Sequence, residues 1–154
     1  MAIIRAQISG RSVVGVFLIV NNSYILYPPT LLKPQLKKFK TVFEEPFYPL
    51  TINNSHLLGV YSASNKYGII VPHVIREDEF NNLKSYVNDS SNIGVLKSID
   101  NAFGNLILCN DKGAIISSLL ENYKSEIEDI LNVETVIYEF ANYYLPGSIS
   151  LANN

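Results

Sequence analysis

The sequence predicts an α/β fold built from repeated β-hairpin–helix–strand units. Four stretches begin with a glycine, at intervals of 44, 45 and 43 residues, and each has an asparagine six residues later. Apolar runs lie between glycine and asparagine, and amphipathic patterns separate the stretches. A near-constant period of this length is typical of a repeat architecture. The glycines are Gly15, Gly59, Gly104 and Gly147, and the asparagines are Asn21, Asn65, Asn110 and Asn153.

The start of each unit predicts a β-hairpin. Runs such as VFLIV, VYSAS and LILC are short, rich in β-branched and apolar residues, and bounded by turn residues, which is typical of buried strands. The turns Asn65–Gly68 and Asn110–Gly113 contain asparagine and glycine, which tolerate positive φ. Second strands are expected at Ile69–Val71 and Ala114–Ile116. Tyr24 replaces the turn glycine in the first unit. The leading glycines lack a Cβ, which permits the backbones of neighbouring units to approach closely.

An amphipathic helix and a closing strand are expected after each hairpin. In the second unit an apolar pattern at helical spacing follows the acidic run Glu77–Glu79, which suits a helix N-terminus. The first helix is predicted after Pro34. The apolar positions of the three helices are Leu36, Phe39 and Phe43; Phe80, Leu83 and Val87; and Tyr123, Ile127, Ile130 and Leu131. The closing strands are predicted at Phe47–Asn53, Asn92–Ile99 and Val133–Phe140.

Length and composition favour one globular domain spanning residues 1–154. A chain of 154 residues is long enough to bury a sizeable core, and hydrophobic residues make up 47% of it and charged residues 17%. Its units are approximately 1–46, 47–91, 92–132 and an incomplete 133–154. The first residues lack the apolar core of a signal peptide, and the longest apolar run is too short to span a bilayer. A cytoplasmic protein without membrane contact is therefore expected.

The charge balance favours protein partners over nucleic acid. The net charge is −2, whereas a protein that binds nucleic acid mainly by neutralising phosphates needs a basic face. The most basic segment is Lys37–Lys40, and we interpret it as the solvated side of an amphipathic helix rather than as an RNA contact. The single cysteine excludes an internal disulfide.

Several motifs resemble one known family. The Gly-x5-Asn-x2-Gly pattern, GNLILCNDKGAIIS, EIEDILNVETV and LPGSISLANN are similar to the archaeal and eukaryotic translation initiation factor 6 family. The resemblance covers the whole chain, and the asparagine, tyrosine and isoleucine content is similar to that of archaeal members. It implies a five-bladed α/β propeller (a pentein), of which this chain would contain about three and a third units.

The resemblance also implies a function. Such a protein, without enzymatic activity or cofactor, would bind the intersubunit face of the large ribosomal subunit and sterically prevent joining of the small subunit. It would take part in large-subunit maturation. Its contacts would be ribosomal proteins beside the sarcin–ricin region, with minor contact to ribosomal RNA and none to DNA. The full chain would be a monomer.

One repeat position departs from its counterparts. Asn105 follows Gly104, where the other units have Val16, Val60 and Ser148. The family has Gly-Asn at this place, near the surface that meets the large subunit, so the resemblance implies that Gly104 and Asn105 bind the ribosome. The alternative is that Asn105 hydrogen-bonds neighbouring backbone groups within the fold, and both roles are compatible.

Cys109 raises an enzymatic alternative. Arginine deiminases and amidinotransferases have a related five-repeat propeller and use cysteine, histidine and acidic residues, so a guanidino-modifying hydrolase or transferase using Cys109 is the rival function. Ser64 occupies the equivalent position of another unit, however, and buried free cysteines are usually inert. His56 and His73 have no partner at catalytic or ligand spacing, so we expect no catalytic residue and no metal site. A third possibility is a paralogue that has lost ribosome binding.

The sequence ends within the fourth unit, after LPGSISLANN. The first strand of a hairpin cannot satisfy its own backbone groups, so a longer polypeptide of roughly five units is expected. The alternative is a short form that dimerises through its open edges.

Overall fold

The chain folds into three small mixed sheets that follow one another in sequence. The computed structural model describes residues 4–87 and 91–154. Each sheet contains an antiparallel pair and a third strand parallel to the second. The strands are β1 (Ile19–Val20), β2 (Ile25–Tyr27), β3 (Phe47–Pro49), β4 (Ala63–Ser64), β5 (Gly68–Pro72), β6 (Asn92–Leu96), β7 (Ile107–Cys109), β8 (Ala114–Ile116) and β9 (Thr135–Ile137).

Helices connect the strands and the sheets. The α-helices are α1 (Lys33–Phe39), α2 (Leu58–Tyr61), α3 (Glu77–Tyr86), α4 (Phe103–Leu106), α5 (Lys124–Leu131) and α6 (Pro146–Ile149), and the 3-10 helices are Val14–Val16 and Ser118–Tyr123. The second and third strands of each sheet run parallel, so a crossover must join them, and α1, α3 and α5 provide it. These are the three helices that the apolar spacing predicts. The closing strands are shorter than predicted.

Three apolar clusters form the core, and the middle strands are central to them. Leu26 of β2, Ile69 of β5 and Ile116 of β8 are fully buried. On the helices, Leu83 and Ile127 are also fully buried, and they pack against these strands. Their burial explains the helical spacing of the apolar residues.

The predicted five-bladed propeller is wrong. The described residues form three separate three-stranded sheets, and these do not close into a propeller. Closing a ring requires the last blade to pack against the first. After β9 the described residues form only α6, without a strand after it, and among these residues Gly15 has no neighbouring atom within 4 Å of the position of an added Cβ.

The leading stretch of each unit is a helical turn rather than the start of a strand. The 3-10 helix Val14–Val16 and the short helices α2, α4 and α6 occupy this position, and only two or three residues of strand follow in β1, β4 and β7. An added Cβ on Gly59 would overlap the carbonyl oxygen of Gly15, and one on Gly104 would overlap that of Gly59. Gly147 approaches Gly104 in the same way. The expected close approach therefore occurs between stacked helical turns.

A tight turn joins the first sheet to the second. Asn53 and Asn54 have positive φ, and the backbone of Ile52 pairs with that of Ser55. The carboxylate of Glu79, in the first turn of α3, accepts the N–H groups of Asn53 (2.6 Å) and Asn54 (2.8 Å). Burial alone would raise the pKa of Glu79, but these and other hydrogen bonds lower it. Glu79 therefore connects two consecutive units as an ionised group.

Candidate binding surface at Gly104 and Asn105

Helix α4 presents Gly104 and Asn105 on a single short turn. Phe103 and Leu106 are buried in the core and fix the turn at both ends. The backbone N–H of Asn105 donates to the carbonyl oxygen of Ala102 at 2.9 Å, which closes the turn. Gly104 therefore faces α2, while Asn105 is half-exposed.

Gly104 has a packing role that is independent of any partner. A Cβ at this position would overlap the carbonyl oxygen of Gly59 and lie 2.8 Å from that of Ser62. Both are backbone atoms, so the clash cannot be relieved by a side-chain rotation. Gly104 is thus required for α4 to lie against α2. A ribosome-binding role for Gly104 stays a prediction.

The side chain of Asn105 is available for a partner. Within residues 4–87 and 91–154 its amide makes no hydrogen bond, so the alternative in which it satisfies neighbouring backbone groups has no contact to support it. The amide presents two donors and one acceptor oxygen at a half-exposed position. Its binding role stays a prediction, which the geometry permits.

The asparagines that mark the period form a hydrogen-bonded column across the units. Asn21 Nδ2 donates to the carbonyl oxygen of Asn65 at 3.2 Å, and Asn65 Nδ2 donates to that of Asn110 at 3.1 Å. Asn110 Nδ2 in turn donates to the carbonyl oxygen of Asn153 at 2.7 Å. The constant spacing of these residues therefore reflects an inter-unit contact that the sequence alone did not identify.

The same asparagines also fix the hairpin turns. Asn65 Oδ1 accepts the N–H groups of Tyr67 (2.9 Å) and Gly68 (3.0 Å), and Asn110 Oδ1 accepts those of Lys112 and Gly113. No residue of these turns has positive φ. The predicted turns therefore form without the positive φ that Asn and Gly would tolerate, because the asparagine side chain supplies the acceptor that closes the turn. The same bonding in the first unit explains why Tyr24 can replace glycine.

Cys109 lies in an environment that suppresses its reactivity. Its thiol donates to the carbonyl oxygen of Ser64 at 3.4 Å, as expected for a core residue beside the neighbouring unit. Burial, together with the nearby charge of Asp111, raises the pKa of Cys109 to about 12. Nucleophilic cysteines require a lowered pKa and a base. In the described part of the chain neither His56 nor the exposed His73 donates to or accepts from this thiol.

Among the described residues, no group of three or more histidine, cysteine or acidic side chains has the arrangement of a metal site. None of the helices in residues 4–87 and 91–154 combines the length and apolar character needed to cross a membrane.

Comparisons with known proteins identify the family. The eIF-6 family model matches residues 3–154. The chain is 37% identical to translation initiation factor 6 of Methanococcus vannielii, over 99% of this chain and 68% of the relative. It is 36% identical to translation initiation factor 6 of Methanocaldococcus jannaschii over the same shares, and 33% identical to that of Staphylothermus marinus over 100% of this chain and 69% of the relative.

These matches decide between the two classes of protein that the sequence left open. The relatives are named as translation initiation factors and not as guanidino-modifying enzymes, which confirms the non-enzymatic interpretation and makes the rival function of Cys109 wrong. Since the family model and the relatives cover nearly the whole chain, the protein belongs to the eIF-6 family.

Proposed function

We propose that the protein binds the large ribosomal subunit on its intersubunit face and prevents the small subunit from joining. The observation that carries this proposal is the match to relatives named translation initiation factor 6 along almost the entire chain. The mechanism is steric and needs no catalytic group. Binding acts by mass action, because it stabilises the free large subunit in proportion to the logarithm of the protein concentration over Kd.

Asn105 is the residue that we assign to this contact. It is half-exposed on α4, and its amide makes no hydrogen bond within the described residues. The neighbouring Gly104 holds the turn against α2, so the amide is presented from a packed element rather than from a loose loop. Preorganised groups lose less entropy on binding, which favours a specific contact at this position.

The charge of the larger part of the chain supports a protein partner. Residues 44–154 contain 14 carboxylates and six cations, a formal charge of −8. A surface of this sign is complementary to basic ribosomal proteins, and we propose those beside the sarcin–ricin region as the main contacts. The role in large-subunit maturation belongs to the same proposal, since a factor on that face would occupy the subunit before joining.

Co-sedimentation with purified archaeal large subunits tests the proposal. We expect the wild-type protein to migrate with the subunit, and Asn105→Ser to raise its Kd by about fivefold to tenfold, as for the loss of one polar contact. Asn81→Ser is the matched control, because Asn81 is an exposed asparagine on another helix, α3. Wild-type protein that stays at the top of the gradient at low salt would refute ribosome binding, and would favour a paralogue without this function.

A further inference from the structure

Positive and negative side chains are unevenly distributed along the chain. Residues 1–43 contain six lysines and arginines and no aspartate or glutamate. All 14 carboxylates and the other six cations lie in residues 44–154. The net charge of −2 therefore hides a formal charge of +6 on the first part and −8 on the rest. A local surface can attract a partner of opposite charge even when the whole chain is acidic.

Helix α1 and the residue that follows it, Lys40, carry a row of cations on one side. Lys33, Lys37 and Lys40 are spaced by four and three residues, which places them on the same side of a helix. All three are exposed, whereas Phe39 is buried beneath the helix. At 1.5 Å per residue the row extends over about 10 Å. The partial negative charge at a helix C-terminus attracts cations to the last turn. Lys33 is the first residue of α1, so this attraction does not explain the whole row.

The N-terminal segment adds a further cation beside α1. Gln35 Nε2 donates to the carbonyl oxygen of Gln7 at 2.7 Å, and Lys38 Nζ donates to that of Arg5. These contacts hold the segment next to the helix, and Arg5 and Lys38 are both exposed there. Lys38 is one position after Lys37, so it lies on an adjoining side of α1 and not in the row. We call these exposed cations of α1, Lys40 and the N-terminal segment the basic face; they are Arg5, Lys33, Lys37, Lys38 and Lys40.

The cations of the basic face are not neutralised by carboxylates. In residues 4–87 and 91–154, none of the five lies within 4.0 Å of a carboxylate oxygen. Lys40 Nζ lies 5.6 Å from the centroid of the Phe47 ring, which is a contact with an uncharged group. The ion pairs of the described residues all involve the acidic part of the chain, and they are Lys66–Asp111, Arg76–Asp78 and Lys124–Glu128. The basic face therefore has a positive potential available to an anionic partner.

We propose that the basic face binds the phosphate backbone of RNA. This inference rests on the proposed function, because a protein bound to the large subunit is surrounded by RNA. A regular row of flexible ammonium groups suits a polymer with a charge at every repeat, and needs no base-specific contact. Lys37–Lys40, which the sequence predicts to be a solvated helix surface, is therefore assigned to an RNA contact. Arg5 and Lys33 extend the group of cations, and no carboxylate of the described residues pairs with them.

Salt dependence of RNA binding tests this inference without ribosomes. Fluorescence anisotropy would measure the affinity of the protein for a labelled 20-nucleotide oligouridylate between about 50 and 300 mM KCl. Five phosphate contacts on a single strand give a slope of log affinity against log salt of about −3.5. Removing three contacts in the variant K33Q/K37Q/K40Q should reduce the slope to about −1.4 and weaken binding about 100-fold near 0.1 M salt.

The control variant is K84Q/K97Q/K112Q, which removes the same charge from three exposed lysines of the acidic part. We expect it to keep the wild-type slope. An equal loss in both variants would overturn the inference, since binding would then follow net charge and not the basic face. Displacement of the RNA by oligoglutamate at equal charge concentration would overturn the assignment to RNA and indicate an acidic protein segment instead. Large subunits are absent from this measurement, so its failure would leave the proposed function intact.

Discussion

Replacing Gly104 with alanine should destabilise the protein far more than the size of a methyl group suggests. The new Cβ would overlap the carbonyl oxygen of Gly59 and lie 2.8 Å from both the Gly59 carbonyl carbon and the Ser62 carbonyl oxygen. These atoms belong to the backbone of α2 and of Ser62, the residue that follows it, so α4 and α2 must move apart. Overpacking of this kind costs about 3 kcal/mol. For a chain of this length we expect the Tm to fall by about 6–12 °C, as measured by circular dichroism.

Gly15→Ala is the matched control. Gly15 occupies the same place in the first unit, but an added Cβ would have no atom of residues 4–87 and 91–154 within 4 Å, and its φ is not positive. Its substitution should be neutral or stabilise by up to about 1 kcal/mol, because alanine restricts the unfolded chain. A Gly104→Ala variant that melts within about 2 °C of wild type would refute the stacking of α4 on α2. Equal losses in the two variants would refute the distinction between them.

Three other predictions concern single side chains. The side chain of Asn65 is only 3% exposed, and its two donors and one acceptor make four hydrogen bonds. Asn65→Ala should therefore lower the free energy of unfolding, measured in urea, by about 2–4 kcal/mol. The control Asn153→Ala, at an exposed asparagine, should change it hardly at all. Because the pKa of Cys109 is raised to about 12, its thiol should react with iodoacetamide at pH 8 about 1,000-fold more slowly in the native protein than in urea. Fast alkylation of the native protein would contradict the suppressed reactivity. Cys109→Ser should cost little stability. Hydrogen bonds from Lys124 and Thr135 lower the pKa of Glu128 to about 2 in the folded protein, from an ordinary value of 4.5. The ionised carboxylate therefore stabilises the folded state fully above pH 4.5, and this contribution disappears as the pH falls towards 2. Wild type and Glu128→Gln should therefore differ in denaturant midpoint at pH 7 and converge at low pH, and a constant difference would exclude Glu128 as the source.

Local patterns predicted the three longer helices α1, α3 and α5, but not the short helical turns or the asparagine contacts between units. The acidic start and apolar spacing of α3 follow from nearby residues, so they are visible in one stretch of sequence. The run VFLIV, by contrast, is apolar throughout and has no period that separates helix from strand, and the 3-10 turn there depends on packing against the next unit. The asparagine column joins residues about 44 positions apart, so only its constant spacing was visible.

The five-bladed propeller came from family resemblance rather than from the residues, and the three sheets of the structure overturn it. For the candidate site, the sequence indicated Asn105 by its difference from Val16 and Val60, but not that its amide is without a hydrogen bond in the described residues. The charge pattern behind the basic face is visible in the sequence, because no acidic residue precedes Glu44. The net charge concealed it, and the contact of Lys38 with Arg5 could not be predicted from spacing.

A subunit-joining experiment tests the central claim most directly. Purified large subunits would be incubated with increasing amounts of the protein, small subunits and Mg²⁺ added, and the products separated on a sucrose gradient. Steric exclusion predicts that the peak of joined ribosomes decreases as the protein appears in the large-subunit peak, with Asn105→Ser needing a higher concentration than Asn81→Ser. An undiminished peak of joined ribosomes, with the protein bound to large subunits or to the joined ribosomes, would contradict the claim.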